Sequence, residues 1–287
     1  MNVDAYKQLA HALDLLAGGF PQTKSGVELQ ILEKIFSLEE AQVASNLTGI
    51  REEVDVIAAR GKLPREECEK RLKAMLSRGI IRGSERDGTW KFRLIPYVVG
   101  IYEEQWEIMD HELAHLCEQY WTEGGAAGIM RYQPALHRVV PAHQALKTEA
   151  ILPYDDVKAL ILQAKWFELR DCICRKQQDL VGKRKCNFPL RVCLVFSMGE
   201  RPEGQYNITQ EEALKVLDQC EEVGLVHTVS NIAKGVFYVC NCCGCCCAIL
   251  RGINEFGIEN SVARANYYAV VDPEECTGCG ICEERCQ

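Results

Sequence analysis

The sequence predicts an α+β protein that is rich in helices, and three observations support this fold class. Apolar residues recur at helical spacing along much of the first 120 residues. Shorter apolar runs, some of them alternating, stand beside turn signals and predict strands. Apolar residues make up 47% of the 287 residues, enough to bury a sizeable core in two or three domains. We expect four segments, at residues 1–97, 98–150, 151–265 and 266–287.

The first segment is predicted to hold short helices followed by a hairpin. A capping box at residues 37–40 starts one helix, another begins near Ile50, and Pro64 opens a helix that Gly79 ends. Apolar residues then flank the Asp-Gly pair at 87–88, which is a hairpin signal. This order resembles the winged-helix domains of bacterial regulators, which implies three or four helices and a two-stranded wing.

The charge of the first segment bears on whether such a domain binds DNA. Between residues 65 and 78 five basic side chains stand against three glutamates, and residues 1–100 carry 15 basic and 14 acidic groups. Binding to a phosphate backbone depends on a clear excess of Lys and Arg. We therefore expect the domain to dock a protein or to dimerise, and we expect no tight binding to nucleic acid. DNA binding is the alternative.

The second segment is predicted to contain one long amphipathic helix over residues 98–121. This helix includes His111-Glu-Leu-Ala-His115, the H-E-x-x-H pattern of zinc proteases. A catalytic zinc needs a third ligand, for which His137, His143 or a downstream Glu is available. Both histidines of the pattern point away from the apolar stripe, so they are interpreted as surface residues, with a zinc hydrolase as the third functional hypothesis.

The remainder of the second segment is predicted to be irregular. The glycine-rich stretch at residues 124–128 indicates a flexible loop, and it lacks the Gly-Lys-Ser/Thr ending of a P-loop. Pro134 and Pro141 favour an extended chain after it. We expect this stretch to join two domains.

The third segment places many cysteines among predicted helices and strands. A helix from Pro153 is expected to lead to Cys172, and a capping box at 209–212 starts another helix. Apolar runs at 192–196 and 236–239 predict strands. Ten cysteines of this segment are candidate cluster ligands: Cys172, Cys174, Cys186, Cys193, Cys240, Cys242, Cys243, Cys245, Cys246 and Cys247.

Six of these cysteines fall within the eight residues 240–247. One cubane offers four iron positions, and neighbouring side chains of an extended chain point to opposite faces. The six thiols must therefore serve two sites or leave some thiols free. We expect Cys172, Cys174 and Cys186, with Cys193 as a further candidate, to supply some of the ligands of one metal site, and cysteines of the 240–247 run to supply the others. Another cysteine of the run is expected to face the last segment. A thiolate zinc site is the alternative, because closely paired cysteines also suit tetrahedral zinc.

The last segment has the C-x2-C-x2-C-x3-C spacing that holds an iron–sulfur cubane, with the ligands Cys276, Cys279, Cys282 and Cys286. Gly278 and Gly280 let backbone amides approach the cluster sulfurs. With the strand-like run at 267–271, the motif resembles the opening of a bacterial-type ferredoxin module, which implies a 4Fe-4S cluster. Gln287 stands where proline usually follows the motif, and we expect the natural chain to continue into a second motif.

From residue 153 onwards the sequence resembles a group of bacterial iron–sulfur proteins. The resemblance rests on a Cys-x-Cys-Arg segment, a Cys-Asn-Cys-Cys-x-Cys-Cys-Cys run and the ferredoxin motif. It implies no particular substrate. We expect two or more 4Fe-4S clusters, with zinc as the alternative metal.

The cysteine content and the charge indicate the compartment and the partner. Seventeen cysteines, with no apolar run of membrane length, predict no membrane insertion and a reducing, cytoplasmic location where thiolates bind metal. Cys68, Cys117 and Cys220 stand singly in helical apolar patterns and are predicted to be buried and inert. Residues 101–287 carry 18 basic and 27 acidic groups, which suits docking to a basic partner protein.

These observations predict a cytoplasmic iron–sulfur electron-transfer protein, suited to anaerobic conditions, that is a subunit or redox partner of a larger oxidoreductase. The sequence contains no nucleophile–base pair, dinucleotide fingerprint or flavin motif, so no substrate chemistry is predicted. The alternative is an iron–sulfur redox sensor that regulates transcription through the winged helix. The oligomeric state is left open, with the winged helix as a candidate dimerisation surface.

Overall fold

The computed structural model describes residues 2–131, 133–142 and 155–287. The chain divides into unit 1, Met1–Tyr132 with Gln177–Gly182, and unit 2, Gln133–Lys176 with Lys183–Gln287. The described residues form twelve α-helices and two sheets, which confirms a mixed helix and sheet architecture. None of the described helices combines the length and the apolar character that a bilayer crossing requires.

Unit 1 begins with five helices, α1 Asn2–Asp14, α2 Val27–Ile35, α3 Leu38–Ala44, α4 Val54–Gly61 and α5 Arg65–Ser77. The first predicted capping box is present, because Ser37 Oγ accepts a hydrogen bond from the Glu40 amide at 3.2 Å and Glu40 Oε2 accepts one from the Ser37 amide at 2.9 Å. The helix predicted near Ile50 begins later, after a short strand β1, Glu52–Glu53.

The sheet of unit 1 contains β1, β2 (Arg82–Arg86) and β3 (Thr89–Arg93), with β3 in the centre and all pairs antiparallel. The predicted hairpin is present. Asp87 and Gly88 have φ values of 51° and 76°, the conformation that a two-residue type I′ turn requires.

The single helix predicted over residues 98–121 is wrong. Val99 has a φ of 59° and Gly100 has extended backbone, so the chain turns sharply at the point where the helix was expected to start. The helix α6 begins only at His111 and runs over His111–Tyr120. Asp110 caps it, because its carboxylate accepts a hydrogen bond from the third helical amide at 2.8 Å.

The glycine-rich stretch at residues 124–128, expected to be a loop, is a kink followed directly by a helix. Gly124 has a φ of 127°, which is not helical, and α7 begins two residues later, at Ala126–Met130. A Cβ at Gly125 would come within 2.6 Å of the Tyr120 ring. Glycine is needed here for close packing of one turn against an aromatic side chain.

Unit 2 is organised around a six-stranded sheet formed by β4 His137–Val139, β5 Trp166–Asp171, β6 Arg191–Ser197, β7 Val226–Ser230, β8 Tyr238–Cys242 and β9 Val262–Ala263. The strand order is β5-β6-β8-β7-β4-β9, and every neighbouring pair is antiparallel except β4 with β9. Leu194, Phe196, Val229 and Val239 contribute fully buried side chains to its core. The strand β8 extends into the cysteine run and ends at Cys242.

Four helices of unit 2 accompany this sheet, α8 Val157–Gln163, α10 Gln210–Glu222, α11 Ala248–Asn254 and α12 Ile281–Arg285, and a fifth, α9 Ile173–Leu180, begins in unit 2 and belongs to unit 1 from Gln177 onwards. The second predicted capping box is present at Thr209 and Glu212. The helix α8 does not lead directly to Cys172, because β5 lies between them. Pro153, the predicted start of that helix, lies outside the described residues.

The run at residues 267–271, expected to be strand-like, forms no strand. Tyr268 and Val270 are 89% and 88% exposed, and the nearest preceding strand, β9, ends at Ala263. An apolar run forms a strand only where a neighbouring strand offers hydrogen bonds and a surface to cover. In the described part of the chain no strand pairs with this run.

Candidate metal centres

Four cysteines of unit 2 bring their sulfur atoms together and form what we call the compact thiol site, which consists of Cys186, Cys243, Cys245 and Cys246. Every pair of these Sγ atoms lies within 4.8 Å. The Cys186 sulfur lies 3.8 Å from that of Cys243 and 3.9 Å from that of Cys246, and the Cys245 sulfur lies 3.9 Å from that of Cys243 and 3.5 Å from that of Cys246. Four thiols at this spacing can share one metal ion.

Two segments that are distant in sequence build the compact thiol site. Cys186 lies in the loop between α9 and β6, and the other three cysteines lie in the turn between β8 and α11. Arg184 holds the loop, because its guanidinium donates hydrogen bonds to the carbonyls of Cys186 at 2.9 Å and Phe188 at 2.5 Å. In the turn, the Cys247 amide donates to the Cys243 carbonyl at 3.1 Å.

Gly244 lies in the middle of that turn, where a side chain would not fit. A Cβ there would come within 2.5 Å of Asn254 Nδ2 and within 2.8 Å of the Gln287 carbonyl carbon. The Gly244 amide also donates a hydrogen bond to Gln287 Oε1 at 3.2 Å. The glycine therefore lets the last segment of the chain approach the turn that carries three thiols of the compact thiol site.

Apolar side chains surround the compact thiol site. Cys243 and Cys246 are 1% and 2% exposed and form one buried cluster with Val192, Cys220 and Leu225. The other two thiols of the site, together with Phe188, are partly buried and pack against this cluster. Water therefore has little access to the centre of the site.

Arg175 lies fully buried beside the compact thiol site, and the sequence reasoning assigned it no role. A hydrogen bond to the Cys246 thiol and the charge of Arg175 hold the pKa of Cys243 well below its usual value, against the opposing effect of burial. A thiolate is the form that binds metal. The only signal in the sequence was the position of Arg175 directly after Cys174.

The other six cysteines of this region form a row of neighbouring thiols that we call the thiol chain, in the order Cys172, Cys174, Cys247, Cys242, Cys240 and Cys193. Each thiol is close enough to the next to shift its pKa. Cys240 and Cys242 are two apart on β8 and so share one face of the strand. Hydrogen bonds with Cys240 and then Cys247 lower the pKa of Cys242.

The turn after β8 divides the run at residues 240–247 between the two groups. Cys240, Cys242 and Cys247 of the run belong to the thiol chain. Cys243, Cys245 and Cys246 of the run belong to the compact thiol site. Cys186, expected to share a ligand set with Cys172 and Cys174, lies in the compact thiol site, whereas those two lie in the thiol chain. Among the described residues, the thiol chain contains no group of three sulfurs that all lie within 4.8 Å.

The four cysteines of the last segment form what we call the terminal thiol motif, Cys276, Cys279, Cys282 and Cys286, and all four are exposed. Gly278 and Gly280 have φ values of 67° and 76°, so the chain turns twice between the ligands. The Ile281 amide and then the Thr277 hydroxyl lower the pKa of Cys279 by hydrogen bonding. Four thiols with backbone amides directed at sulfur fit the donor set of an iron–sulfur cluster.

The terminal thiol motif is attached to the end of α10, within unit 2, by Arg285. Arg285 donates hydrogen bonds to the carbonyls of Glu221 at 2.8 Å and Glu222 at 2.5 Å, which lie at the end of α10. These carbonyls lack partners within the helix, so a cation at this position is favourable.

The histidines of the H-E-x-x-H pattern lie exposed on α6. His111 Nδ1 lies 3.0 Å from a backbone carbonyl at the end of α9, and His115 Nδ1 lies 2.7 Å from the His111 carbonyl. Glu112, which would be the general base of a zinc protease, forms an ion pair with Lys34. In the described part of the chain neither histidine belongs to a group of three ligand side chains. His143 lies outside the described residues.

His137, another candidate zinc ligand, is buried on β4. Its Nε2 lies 3.0 Å from the Tyr238 hydroxyl, and burial lowers its pKa to about 4. The imidazole is therefore neutral over the physiological range.

The three isolated cysteines are buried, in agreement with their helical apolar patterns. Desolvation raises the pKa of Cys68 to about 11 and the pKa values of Cys117 and Cys220 to about 12. A neutral, buried thiol is unreactive and behaves as a small apolar side chain.

Comparisons with known proteins identify one part of the chain. Residues 269–287 match the family described as 4Fe-4S binding domain, and the match includes the whole terminal thiol motif. It indicates a 4Fe-4S cluster in this segment. No curated protein matches the chain, and no solved structure matches it.

Proposed function

We propose that the protein transfers single electrons through a 4Fe-4S cluster held by the terminal thiol motif, as a subunit or partner of a larger cytoplasmic oxidoreductase. The observation that carries this proposal is the exposure of all four thiols within the residues that match the 4Fe-4S binding domain family. A cluster with a thiolate on every iron has no open position for a substrate. A cluster bound by these thiols would supply one-electron oxidation and reduction, and the exposed thiols place it at a surface that a partner protein can reach.

The surface around the terminal thiol motif supports a basic redox partner. Five exposed carboxylates lie beside the four cysteines, at Asp272, Glu274, Glu275, Glu283 and Glu284. Arg285 is the one basic residue within residues 266–287, and it donates hydrogen bonds to the carbonyls at the end of α10. A negative patch around a redox centre steers a positively charged partner towards it.

We also propose that part of the thiol chain holds a second cluster. Cys172, Cys174, Cys247 and Cys242 are consecutive members of the chain. These four sulfurs are more widely spread than those of the compact thiol site, and a cubane needs ligands separated by four irons.

Residues 27–95 are proposed to form a winged-helix domain that docks a protein. The order α3, β1, α4, α5, β2, β3, with β3 in the centre of the sheet, supports this fold. Four of the five basic side chains of α5 and its end form ion pairs, Arg65 with Asp55 and Glu69, Arg71 with Glu67 and Glu39, Lys73 with Glu69, and Arg78 with Glu40. Because these carboxylates neutralise the cations that DNA phosphates would attract, protein docking is favoured over DNA binding.

The test of the electron-transfer proposal is the iron and sulfide content of the full chain, purified without oxygen, together with its EPR spectrum after reduction by a low-potential donor. Cys279→Ala should remove about four irons and the EPR signal of one cluster. Cys117→Ala, which changes a buried thiol of unit 1, should retain both. Unchanged iron in Cys279→Ala would contradict the proposal.

The redox-sensing regulator is the second candidate, and the winged-helix order of elements is the observation that favours it. We expect the oxidised and reduced protein to bind duplex DNA only in the non-specific range, about 10⁻⁴ to 10⁻⁶ M at physiological salt. Nanomolar binding that changes with the oxidation state would favour the regulator.

A further inference from the structure

We propose that the compact thiol site, Cys186, Cys243, Cys245 and Cys246, binds a single zinc ion in tetrahedral geometry. This inference goes beyond the electron-transfer function, because zinc has no redox chemistry and the site shares no ligand with the terminal thiol motif. It also separates these four cysteines from those proposed to hold clusters.

The distances between the sulfur atoms fit a site for a single metal ion and not a cluster. Zinc–sulfur bonds of about 2.3 Å place the corners of a tetrahedron about 3.8 Å apart. The four measured Sγ–Sγ distances in the site are 3.5, 3.8, 3.9 and 3.9 Å, and the remaining pairs lie within 4.8 Å. The ligand sulfurs of a cubane lie outside four irons and are therefore roughly 6 Å apart. The compact thiol site is too small for a cubane and has the size of a mononuclear site.

The four thiol ligands and their apolar surroundings favour zinc over other metal ions. Four sulfur ligands in a tetrahedral arrangement suit zinc or iron, and the usual order of stability places zinc above ferrous iron for the same ligands. With four thiolates the ion has no open position, as in structural zinc sites. The burial of Cys243 and Cys246 among Val192 and Leu225 also limits the access of water to the ion.

The charge of the loaded site is partly offset by Arg175. Four thiolates and one zinc ion carry a net charge of about −2, which is costly to bury without a cation. The guanidinium of Arg175 is fully buried beside Cys243. It donates hydrogen bonds to the carbonyls of Pro189 at 3.0 Å and Asn241 at 2.6 Å.

The same two hydrogen bonds explain how the site is held in shape. Pro189 lies in the loop that carries Cys186, and Asn241 lies on the strand that leads into the turn with the other three ligands. Arg175 thus holds both ligand-bearing segments through hydrogen bonds to their backbone, and such hydrogen bonds orient the ligands of metal sites. Zinc would join the same two segments through their thiols, so its role is to stabilise this part of unit 2.

The experiment counts zinc, iron and acid-labile sulfide per chain in the full protein, produced with both metals in the medium and purified without oxygen. Wild type should hold one zinc ion in addition to its iron. Cys186→Ala should lose the zinc and retain the iron and sulfide. Cys220→Ala, the matched control, changes a buried thiol of the same apolar cluster that is not a ligand, and it should retain both metals.

Three results would overturn the zinc site: wild type without zinc, loss of iron and sulfide from Cys186→Ala with zinc unchanged, or one iron without sulfide in place of zinc. Because Cys186→Ala can fail by misfolding, zinc-edge X-ray absorption of wild type provides a second measurement. One shell of four sulfurs at about 2.3 Å is expected, and a shell containing nitrogen or oxygen would also overturn the proposal. Loss of iron from Cys279→Ala reports separately on the electron-transfer function.

Discussion

The compact thiol site and the terminal thiol motif each consist of four cysteines, and they differ in how the chain assembles them. The terminal thiol motif takes its ligands from the eleven residues 276–286 and leaves every thiol exposed. The compact thiol site joins Cys186 to a turn whose first thiol, Cys243, is 57 residues further along, and it lies in an apolar cluster. Short-range spacing therefore defines the first group, whereas the second exists only after the sheet of unit 2 has formed.

This difference has an energetic consequence. Metal that binds a site assembled by the tertiary fold stabilises that fold by its binding free energy, because the unfolded chain offers no such site. Metal that binds a local exposed motif orders only the motif and a few neighbouring residues. We therefore expect the two groups to respond differently to substitution, acid and alkylation.

The largest difference should appear in the free energy of unfolding of unit 2. Cys243→Ala removes a ligand of the compact thiol site and should destabilise the unit by several kcal/mol, since structural zinc contributes about 10–16 kcal/mol in small domains. Cys282→Ala in the terminal thiol motif should leave the unfolding midpoint unchanged. Denaturant unfolding under anaerobic conditions, followed by circular dichroism, measures both.

Cys220→Ala is the control for packing in that experiment, because Cys220 is equally buried beside Cys243. Loss of one buried sulfur should cost roughly 1–2 kcal/mol. If Cys243→Ala lowers the free energy of unfolding no more than Cys220→Ala does, the metal contributes nothing to the stability of the fold. The proposed difference between the compact thiol site and the terminal thiol motif would then be wrong.

Acid should lower the free energy of unfolding of unit 2, because His137 is buried there as a neutral imidazole. The terminal thiol motif contains no such group, so acid should affect its local order little through this route. The pKa of His137 is about 4 in the folded protein, whereas an unfolded histidine titrates near its usual value of about 6.5. The unfolded state therefore takes up a proton that the folded state does not, and stability present above pH about 6.5 is lost as the pH falls towards 4. The loss between pH 6.5 and 5 should be about 2 kcal/mol.

The change to test this is His137→Gln, which keeps a side chain able to bond the Tyr238 hydroxyl and cannot be protonated. The free energy of unfolding of wild type and variant should be compared from pH 7.5 to 5. The variant should have a flatter pH profile, and identical slopes would show that another group controls the acid response.

Alkylation should separate the two groups by rate. After removal of metal under native conditions, the four exposed cysteines of the terminal thiol motif should react with iodoacetamide roughly 100-fold faster than Cys68, whose thiol is buried and has a raised pKa. Cys243 and Cys246 should react at an intermediate rate, because their protection depends on the fold around them. Peptide mass spectrometry over time gives the rates, and equal rates for all thiols would contradict the difference in burial.

The smallest effect is expected from Gly244→Ala, which tests the contact between the two regions. The added Cβ would collide with Gln287 and Asn254, so the last segment should move away from the turn. The metal content should be unchanged, while alkylation of Cys286 should accelerate by a few-fold. Gly199→Ala is a suitable control, because a Cβ at Gly199 would meet no atom within 4 Å. Gly278→Ala is not suitable, because Gly278 has a positive φ that alanine rarely adopts.

Elements governed by neighbouring residues were predictable from the sequence. The capping boxes at 37–40 and 209–212 begin helices because side chain and amide lie within one turn of each other. The Asp-Gly hairpin at 87–88 formed for the same reason. The terminal thiol motif is equally local, and its spacing matches a known family.

Elements that depend on distant residues were not predictable in this way. The apolar stripe over residues 98–121 suggested one helix, but the cap at Asp110 and the turn at Val99 divide it. The apolar run at 267–271 has no neighbouring strand to pair with among the described residues. The grouping of Cys186 with the turn after β8 depends on the pairing of β6 with β8 and on the buried position of Arg175, neither of which the cysteine spacing encodes.

The contact between Gly244 and Gln287 also has an electrostatic consequence. Gln287 directly follows Cys286 of the terminal thiol motif, and Gly244 stands between Cys243 and Cys245 of the compact thiol site. With zinc bound as proposed, the compact thiol site carries a net negative charge that Arg175 offsets only in part, and a cluster held by Cys286 would accept its electron near that charge. Coulomb repulsion should make that electron harder to add and lower the cluster's reduction potential relative to the same motif in isolation. A zinc ion that never changes its oxidation state would in this way help to set the driving force for electron transfer.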